Sequence, residues 1–359
     1  MTATTHRRDY SLTGEEGKKA VANGLAGAQW YACPIPRKQM KELMARSDQP
    51  AIRDTILWFA LILAAGALVV ATWGTWWAVP ALIVYGALYG GAADSRWHES
   101  GHGTAFRTRW MNDALYQVAS FMVLRQPTVW RWSHSRHHTD TIIVGRDPEI
   151  AVPRPPDILG IFLNLAALKS GTKELAGVVR HAMGSLDPEV RTYVPESEQP
   201  KVVREARIWL AIWAGVGTLS LLLHSWLPLV LVGLPSFYGA WLYVFFGLTQ
   251  HAGLAEDVLD HRLNSRTVYM NPVFRFLYWN MNYHVEHHMF PMVPYHALPK
   301  LHAAIKDRCP PAYPSTLAAY REIVPTLLRQ RKDPGYHVKR ELPPAVAARE
   351  AALMAGAAA

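Results

Sequence analysis

The sequence predicts an all-α integral membrane protein, with four transmembrane helices and a helical cap on the cytoplasmic side. Three observations lead there. Half of the 359 residues are hydrophobic, with 14 Trp and 15 Tyr, and only 18% are charged; that balance suits a chain partly solvated by lipid. Two stretches, 55–93 and 208–255, contain no Asp, Glu, Lys or Arg, and each is about twice the ~20 residues that one helix needs to cross a bilayer. Eight of the 16 histidines fall in three tight clusters, and each cluster lies outside the predicted spans.

The elements follow in order. Residues 1–54 form a polar arm without the apolar core of a secretory signal. A break at Gly74-Thr75 divides the first charge-free stretch into spans near 55–73 and 76–93. Segments 114–124 and 158–168 are too short or too interrupted to cross and read as amphipathic helices at the interface. Val152-Pro153-Arg154-Pro155-Pro156 punctuates the chain between them. A second break, at His224-Ser225-Trp226, gives spans near 208–223 and 227–249. The membrane domain therefore covers 55–302, and 303–359 is a C-terminal helix with an Ala-rich tail.

Trp73, Trp76, Trp77 and Trp226 fall at the two hairpin turns, where amphipathic rings favour the headgroup layer. Neither turn carries Lys or Arg, so the positive-inside bias puts both termini and the long central loop in the cytoplasm. All three histidine clusters then share that side, which would be the cytoplasmic face of a bacterial inner membrane. The formal charge of +9 favours anionic lipid or an acidic partner. No basic helix or RNA-binding signature points to nucleic acid. The two cysteines, Cys33 and Cys309, offer neither a disulfide framework nor a cluster motif.

The clusters read His98-x-x-x-His102, His134-x-x-His137-His138 and His284-x-x-His287-His288. Imidazole is the commonest neutral metal ligand. A structural zinc takes four ligands and a catalytic zinc three plus water, so eight histidines suffice for two metals. Four residues apart, His98 and His102 stack on one helical face if the second span continues into the cap. In each HxxHH block the first two histidines are expected to share a face. The third would point about 100° away, letting one short helix reach both metals. The cap is thus predicted to hold a di-metal site with nitrogen ligands.

His98-Glu99-Ser100-Gly101-His102 also fits HExxH, the zinc-protease pattern in which the Glu is the base. That reading leaves both HxxHH blocks unexplained.

The order HESGH (98–102), HSRHH (134–138) and HVEHH (284–288), followed by Met289-Phe290-Pro291, resembles the membrane fatty acid desaturase and hydroxylase superfamily over residues 54–302. Within it, residues 130–150 and 282–302 are most similar to the rhizopine-oxygenase-like branch, which includes a dihydrorhizobitoxine desaturase. The resemblance implies that the eight clustered histidines are catalytic ligands of two irons and that dioxygen is the co-substrate. It implies a ninth ligand at His251, near the end of the fourth span. On the residues alone His251 also fits a histidine at a helix C-terminus. Zinc, which outcompetes ferrous iron at nitrogen sites, would replace it in purified material.

The expected reaction is oxygen-dependent removal of hydrogen from an unactivated C–H bond, giving a desaturated lipid or amphiphile. Hydroxylation or demethylation, as in rhizopine-oxygenase-like or alkane-hydroxylase-like enzymes, shares that first step. No nucleotide, flavin or iron–sulfur signature is present and the tail is too short for a haem domain. Electrons are therefore expected from a separate ferredoxin, Rieske-type or otherwise, with its reductase, docked on the basic cytoplasmic face.

Around the ligands, Asp147 is placed either to orient an imidazole through its other nitrogen or as a turn residue before proline. Glu99 and Glu286, between ligand histidines, are candidates for the same supporting role, and Asn282 for holding a water near the metals. His6 and His337 belong to polar termini and His224 to a hairpin turn across the bilayer from the site. His181, His261, His296 and His302 are assigned to surface or packing, with His261 and His296 also placed to support ligands.

Overall fold

In the computed structural model, which describes residues 8–343, the longest helix is α1, Asp48–Thr72. Its buried positions, Ala51, Asp54, Trp58, Ile62, Ala65 and Val69, recur every three or four residues and form one stripe. Off that stripe Leu57, Leu61, Leu63, Leu68 and Val70 are exposed. The helix starts seven residues before the predicted span and carries Asp54, which is buried and accepts the Tyr295 hydroxyl at 2.7 Å. Gly74, at φ +85°, takes the left-handed turn that follows.

The chain returns through α2 (Ala78–Gly86), a π-helical turn (Ala87–Gly91) and α3 (Ala93–Gly101). Next come α4 (Arg109–Met122), which contains most of the first predicted interfacial segment, and α5 (Pro127–Thr139). The second such segment forms the helix Ile158–Asn164, with Leu159 and Phe162 exposed. Helix α6 (Ser170–Ala182) packs beside α7 (Gln199–Leu222). His224, at φ +46°, turns the chain into a fourth column made of a π-helical turn (Leu229–Gly233), the short helix Pro235–Tyr238 and α8 (Ala240–His251).

Two stretches, Arg37–Thr72 and Glu196–Leu222, are long and apolar enough to cross a membrane. The other two predicted spans are present as broken columns rather than single helices. In the second the break is the π-helical turn; in the fourth it coincides with Pro235 and Gly239. These two columns touch at backbone distance. A Cβ on Gly239 would lie 2.0 Å from the Gly86 carbonyl oxygen, and one on Gly90 2.6 Å from that of Pro235. Small residues at such a crossing let helices approach closely. The contact sets the spacing between α3 and the end of α8.

The short helix α9 (His284–Met289) and the longer α10 (Thr316–Gln330) follow. Tyr320 anchors α10 to α8, its hydroxyl donating to the Phe245 carbonyl at 2.6 Å. The described residues are helical apart from turns, loops and two isolated bridges, Thr267 with Tyr283 and Val268 with Tyr313. His6 and the Ala-rich tail from 344 lie outside the described residues.

Arg96 sits at the centre of the core. It is fully buried and donates to the carbonyls of Leu277 (2.6 Å) and Phe276 (3.0 Å), between the rings of Trp58, Phe276 and Trp279. It ties α3 to the segment leading into α9, bringing the first and third histidine clusters into register.

Candidate metal centre

Four helices deliver nine histidines. His98 lies on α3 and His102, one turn on, caps its end, while His134, His137 and His138 fill the last turns of α5. His284, His287 and His288 occupy α9, and His251 ends α8. Helix α5 is oriented at its start by Glu205, whose carboxylate accepts from the Thr128 amide (2.9 Å) and hydroxyl (2.8 Å).

The rings converge into two groups, within each of which the ligand nitrogens lie inside 4.8 Å of one another. One contains His98, His102, His134, His138 and His287; the other contains His137, His251, His284 and His288. In the first group Nε2 atoms face each other at 2.7 Å (His98–His287), 3.0 Å (His98–His134), 3.1 Å (His102–His134) and 3.2 Å (His134–His138 and His138–His287). In the second the Nε2 distances are 3.0 Å for His251–His284 and for His284–His288.

Each HxxHH block divides between the groups, but not as expected. The first and third histidines go together and the middle one crosses over. The reason is helical pitch: residues four apart are offset by about 40° and residues three apart by about 60° in the opposite sense.

Such packing fits a metal rather than a hydrogen-bonded network. Several imidazoles already commit Nδ1 elsewhere: His134 to Glu149 (2.9 Å), His137 to Asp147 (2.8 Å) and His251 to the Asn264 carbonyl (2.8 Å). His288 Nδ1 donates to the Thr141 hydroxyl (3.2 Å), whose own proton goes to the His137 carbonyl. With Nδ1 protonated, a neutral ring turns an Nε2 lone pair inward. Lone pairs facing each other at 3 Å repel unless a cation lies among them. Nitrogens about 2.1 Å from a shared ion in octahedral arrangement stand about 3.0 Å apart along each edge.

The electrostatics agree. Burial first, and then neighbouring imidazoles, hold His98, His138, His284, His287 and His288 well below the usual imidazole range. They are neutral and ready to ligate. For His137 burial also acts downward most strongly, but the Asp147 charge and hydrogen bond, with Glu149, raise it overall. Burial would raise Glu149, yet His134, His137 and Arg125 bring it to about 2.

Asp147 pairs with the His137 imidazole and also accepts the Ile142 and Glu149 amides, so it both meets a histidine and holds the turn before Pro148. The other three candidates have different partners. Glu99 is fully buried, accepts the Tyr295 amide at 3.0 Å and is pushed by burial up to about 7. Glu286 accepts from the Thr267 hydroxyl (2.6 Å) and pairs with His302 Nδ1 (2.5 Å). The Asn282 amide donates to the Val268 carbonyl at 2.8 Å, bracing the loop before α9. One oxygen of the Glu99 carboxylate is thus held by the Tyr295 backbone.

Glu149 is the supporting residue that sequence reasoning passed over. It stands two residues beyond Asp147 across a proline, and that spacing lets one turn serve two imidazoles on α5. His302 and His181 are buried with defined partners, Glu286 and Gln126. His261 is buried and its ring lies 5.2 Å from His288. His296 is half-buried, His337 meets only its local backbone, and exposed His224 starts the column that His251 ends.

Comparison with known proteins agrees with this centre. The model of the family described as fatty acid desaturase matches residues 74–319. Over 234 residues the chain is 25% identical to an acyl-lipid (9-3)-desaturase of Physcomitrium patens, covering 59% of this chain and 45% of that protein. Over 93 residues it is 31% identical to a Delta(12)-acyl-lipid-desaturase of Punica granatum, covering 25% of this chain and 21% of that protein. The chain thus spans less than half the length of the curated relatives it matches. With a family match over more than half of its length, this chain belongs to the fatty acid desaturase family.

Proposed function

We propose that the chain is an oxygen-dependent di-iron oxidoreductase that desaturates the acyl chain of a lipid or a related amphiphile. The observation that carries this reading is the five-and-four grouping of histidines whose ligand nitrogens lie inside 4.8 Å of one another. His98, His102, His134, His138 and His287 would hold one iron, and His137, His251, His284 and His288 the other. Bound there, the irons would supply the reduction of dioxygen and the oxidising power to take hydrogen from an unactivated C–H bond.

The protein's own part is positional. Asp147 and Glu149 accept the Nδ1 protons of His137 and His134, fixing tautomer and ring orientation. Trp97, packed edge-on against His134 at 5.3 Å, helps to exclude water from that flank.

A membrane setting is supported by the apolar side chains left bare on the two long helices. Leu63 is 73% exposed and Leu221 76%, while Trp76, at 90%, marks the hairpin turn. In water a belt of this size would be an association site; in lipid it is solvated. We place four passes through a bacterial inner membrane, with termini and metal centre cytoplasmic, on the charge-free turns and the basic remainder. We assign electron delivery to a separate ferredoxin and its reductase, an acidic carrier being complementary to the chain's formal charge of +9.

The test is turnover of iron-loaded protein on phospholipid-linked acyl chains under ¹⁸O₂. A new double bond with no label in the lipid supports the reading. Label retained as a hydroxyl moves it to hydroxylation, and product formed without oxygen overturns it.

A further inference from the structure

The N-terminal arm lies against the metal centre from outside. The Trp30 indole N–H donates to the carbonyl of Thr139, the last residue of α5, at 3.0 Å. Next to it, the Tyr31 amide donates to the Leu259 carbonyl at 3.0 Å, just ahead of His261. These bonds lay the Trp30 ring flat on the His261 imidazole, with centroids 4.3 Å apart and planes 4° from parallel. The His261 ring in turn lies 5.2 Å from that of His288, in the four-histidine group. Trp30 is half-buried and reaches solvent, whereas His261 is 2% exposed. A continuous path of ring contacts therefore runs from the surface to a metal-binding imidazole.

The contrast with Trp97 is informative. Trp97 also touches the centre, at 5.3 Å from the His134 ring, but it is 2% exposed and covered by Arg125, Tyr116 and Trp130. It has no outlet to solvent. Trp30 has one, and the arm beyond it is basic. Arg37 and Lys38 are exposed, and Arg308 donates to the Pro34 carbonyl at 2.6 Å. Positive charge along the arm that carries a surface ring suits an acidic protein that must approach closely but bind briefly.

We propose that Trp30 and His261 form the inlet through which an acidic iron–sulfur carrier, docked over Trp30, delivers electrons to the metal pair. The proposal rests on the di-iron reading above. Each encounter moves one electron: the reduced cluster of the carrier is oxidised, one ferric ion of the pair becomes ferrous, and no bond forms or breaks. Two encounters, with two protons and the two hydrogens of the substrate, take one dioxygen to two waters. Electron transfer weakens exponentially with distance, so ring-to-ring contact is what Trp30 contributes.

The test uses full-length protein in lipid nanodiscs, iron-loaded and oxidised, mixed anaerobically with a reduced acidic plant-type [2Fe–2S] ferredoxin. The visible absorbance of the ferredoxin reports electron uptake. Trp30→Leu is expected to slow uptake about tenfold or more and Trp30→Phe to restore most of it. Reduced methyl viologen, a small reductant that needs no docked path, should act at the same rate on all three proteins. Arg37→Glu with Lys38→Glu should weaken ferredoxin binding to the metal-free protein, and added salt should do the same to wild type.

Equal ferredoxin rates for wild type and Trp30→Leu would overturn the inlet. Equal slowing with ferredoxin and viologen would do so too, by making Trp30 structural. A wild-type centre that accepts electrons from viologen but not from ferredoxin removes the external carrier and the inlet with it. One reduced by neither sinks the di-iron reading itself.

Discussion

His98 Nε2 and His287 Nε2 lie 2.7 Å apart, although 189 residues separate them in sequence. His98 Nε2 also faces His134 Nε2 at 3.0 Å and His287 Nε2 faces His138 Nε2 at 3.2 Å, so one shared proton cannot satisfy these nitrogens. The contact makes sense as one edge of a coordination shell, and that view gives the following expectations.

Protein purified anaerobically from iron-fed cells should hold two metals per chain by elemental analysis. His138→Ala and His287→Ala each remove a nitrogen from the five-histidine group and should lower that count and abolish turnover. His224→Ala, altering an exposed turn residue at the start of the fourth column, should change neither. Loss of activity in that variant would contradict the proposed topology.

The two supporting carboxylates should separate the metals. Glu149→Gln weakens the hold on His134, in the five-histidine group, and Asp147→Asn the hold on His137, in the other. Each should cost about 10–100-fold in affinity for one ion only. Chelator titration followed by metal analysis would show two different stoichiometric losses; identical losses would mean that the groups bind as one unit.

Glu99 separates this centre from a zinc protease. Its carboxylate is buried and engaged with the Tyr295 amide. Glu99→Gln keeps that acceptor and should retain most of the activity, whereas loss of a general base costs about 10²–10⁴-fold. A loss of that size in a steady-state assay would reinstate the Glu as a base.

Arg96→Leu should destabilise the fold by about 2–4 kcal/mol, since it strips buried carbonyls of their donor. The acceptors are Phe276 and Leu277, on the segment that leads into α9. The check is a lowered melting temperature together with reduced metal content, because the first and third clusters lose registration.

Gly239→Ala should be costly although alanine favours helix. Its Cβ would meet the Gly86 carbonyl oxygen at 2.0 Å, so the second and fourth columns must part. The expected destabilisation is about 1–3 kcal/mol, measured by thermal unfolding in detergent. Gly215→Ala, on α7 with open space around it, is the control.

How much of this was legible beforehand depends on whether the information is local. The three clusters, the two charge-free stretches and the breaks at Gly74 and His224 are all written in short spacings, because a helix repeats every 3.6 residues and a turn needs particular backbone angles. The sequence by itself therefore determined an all-helical chain with eight clustered metal-binding candidates, and the resemblance added His251. Only the tertiary structure decided which histidines share an ion, that Glu149 supports His134, and that Glu99 and Glu286 turn away to Tyr295 and His302. It also decided that the second and fourth columns are broken and pressed together at Gly86 and Gly239. The physical reason is that helical spacing fixes where a side chain points on its own helix. Which atoms meet in space depends on how Arg96, the glycine crossing and the surrounding aromatic core dock one helix against another.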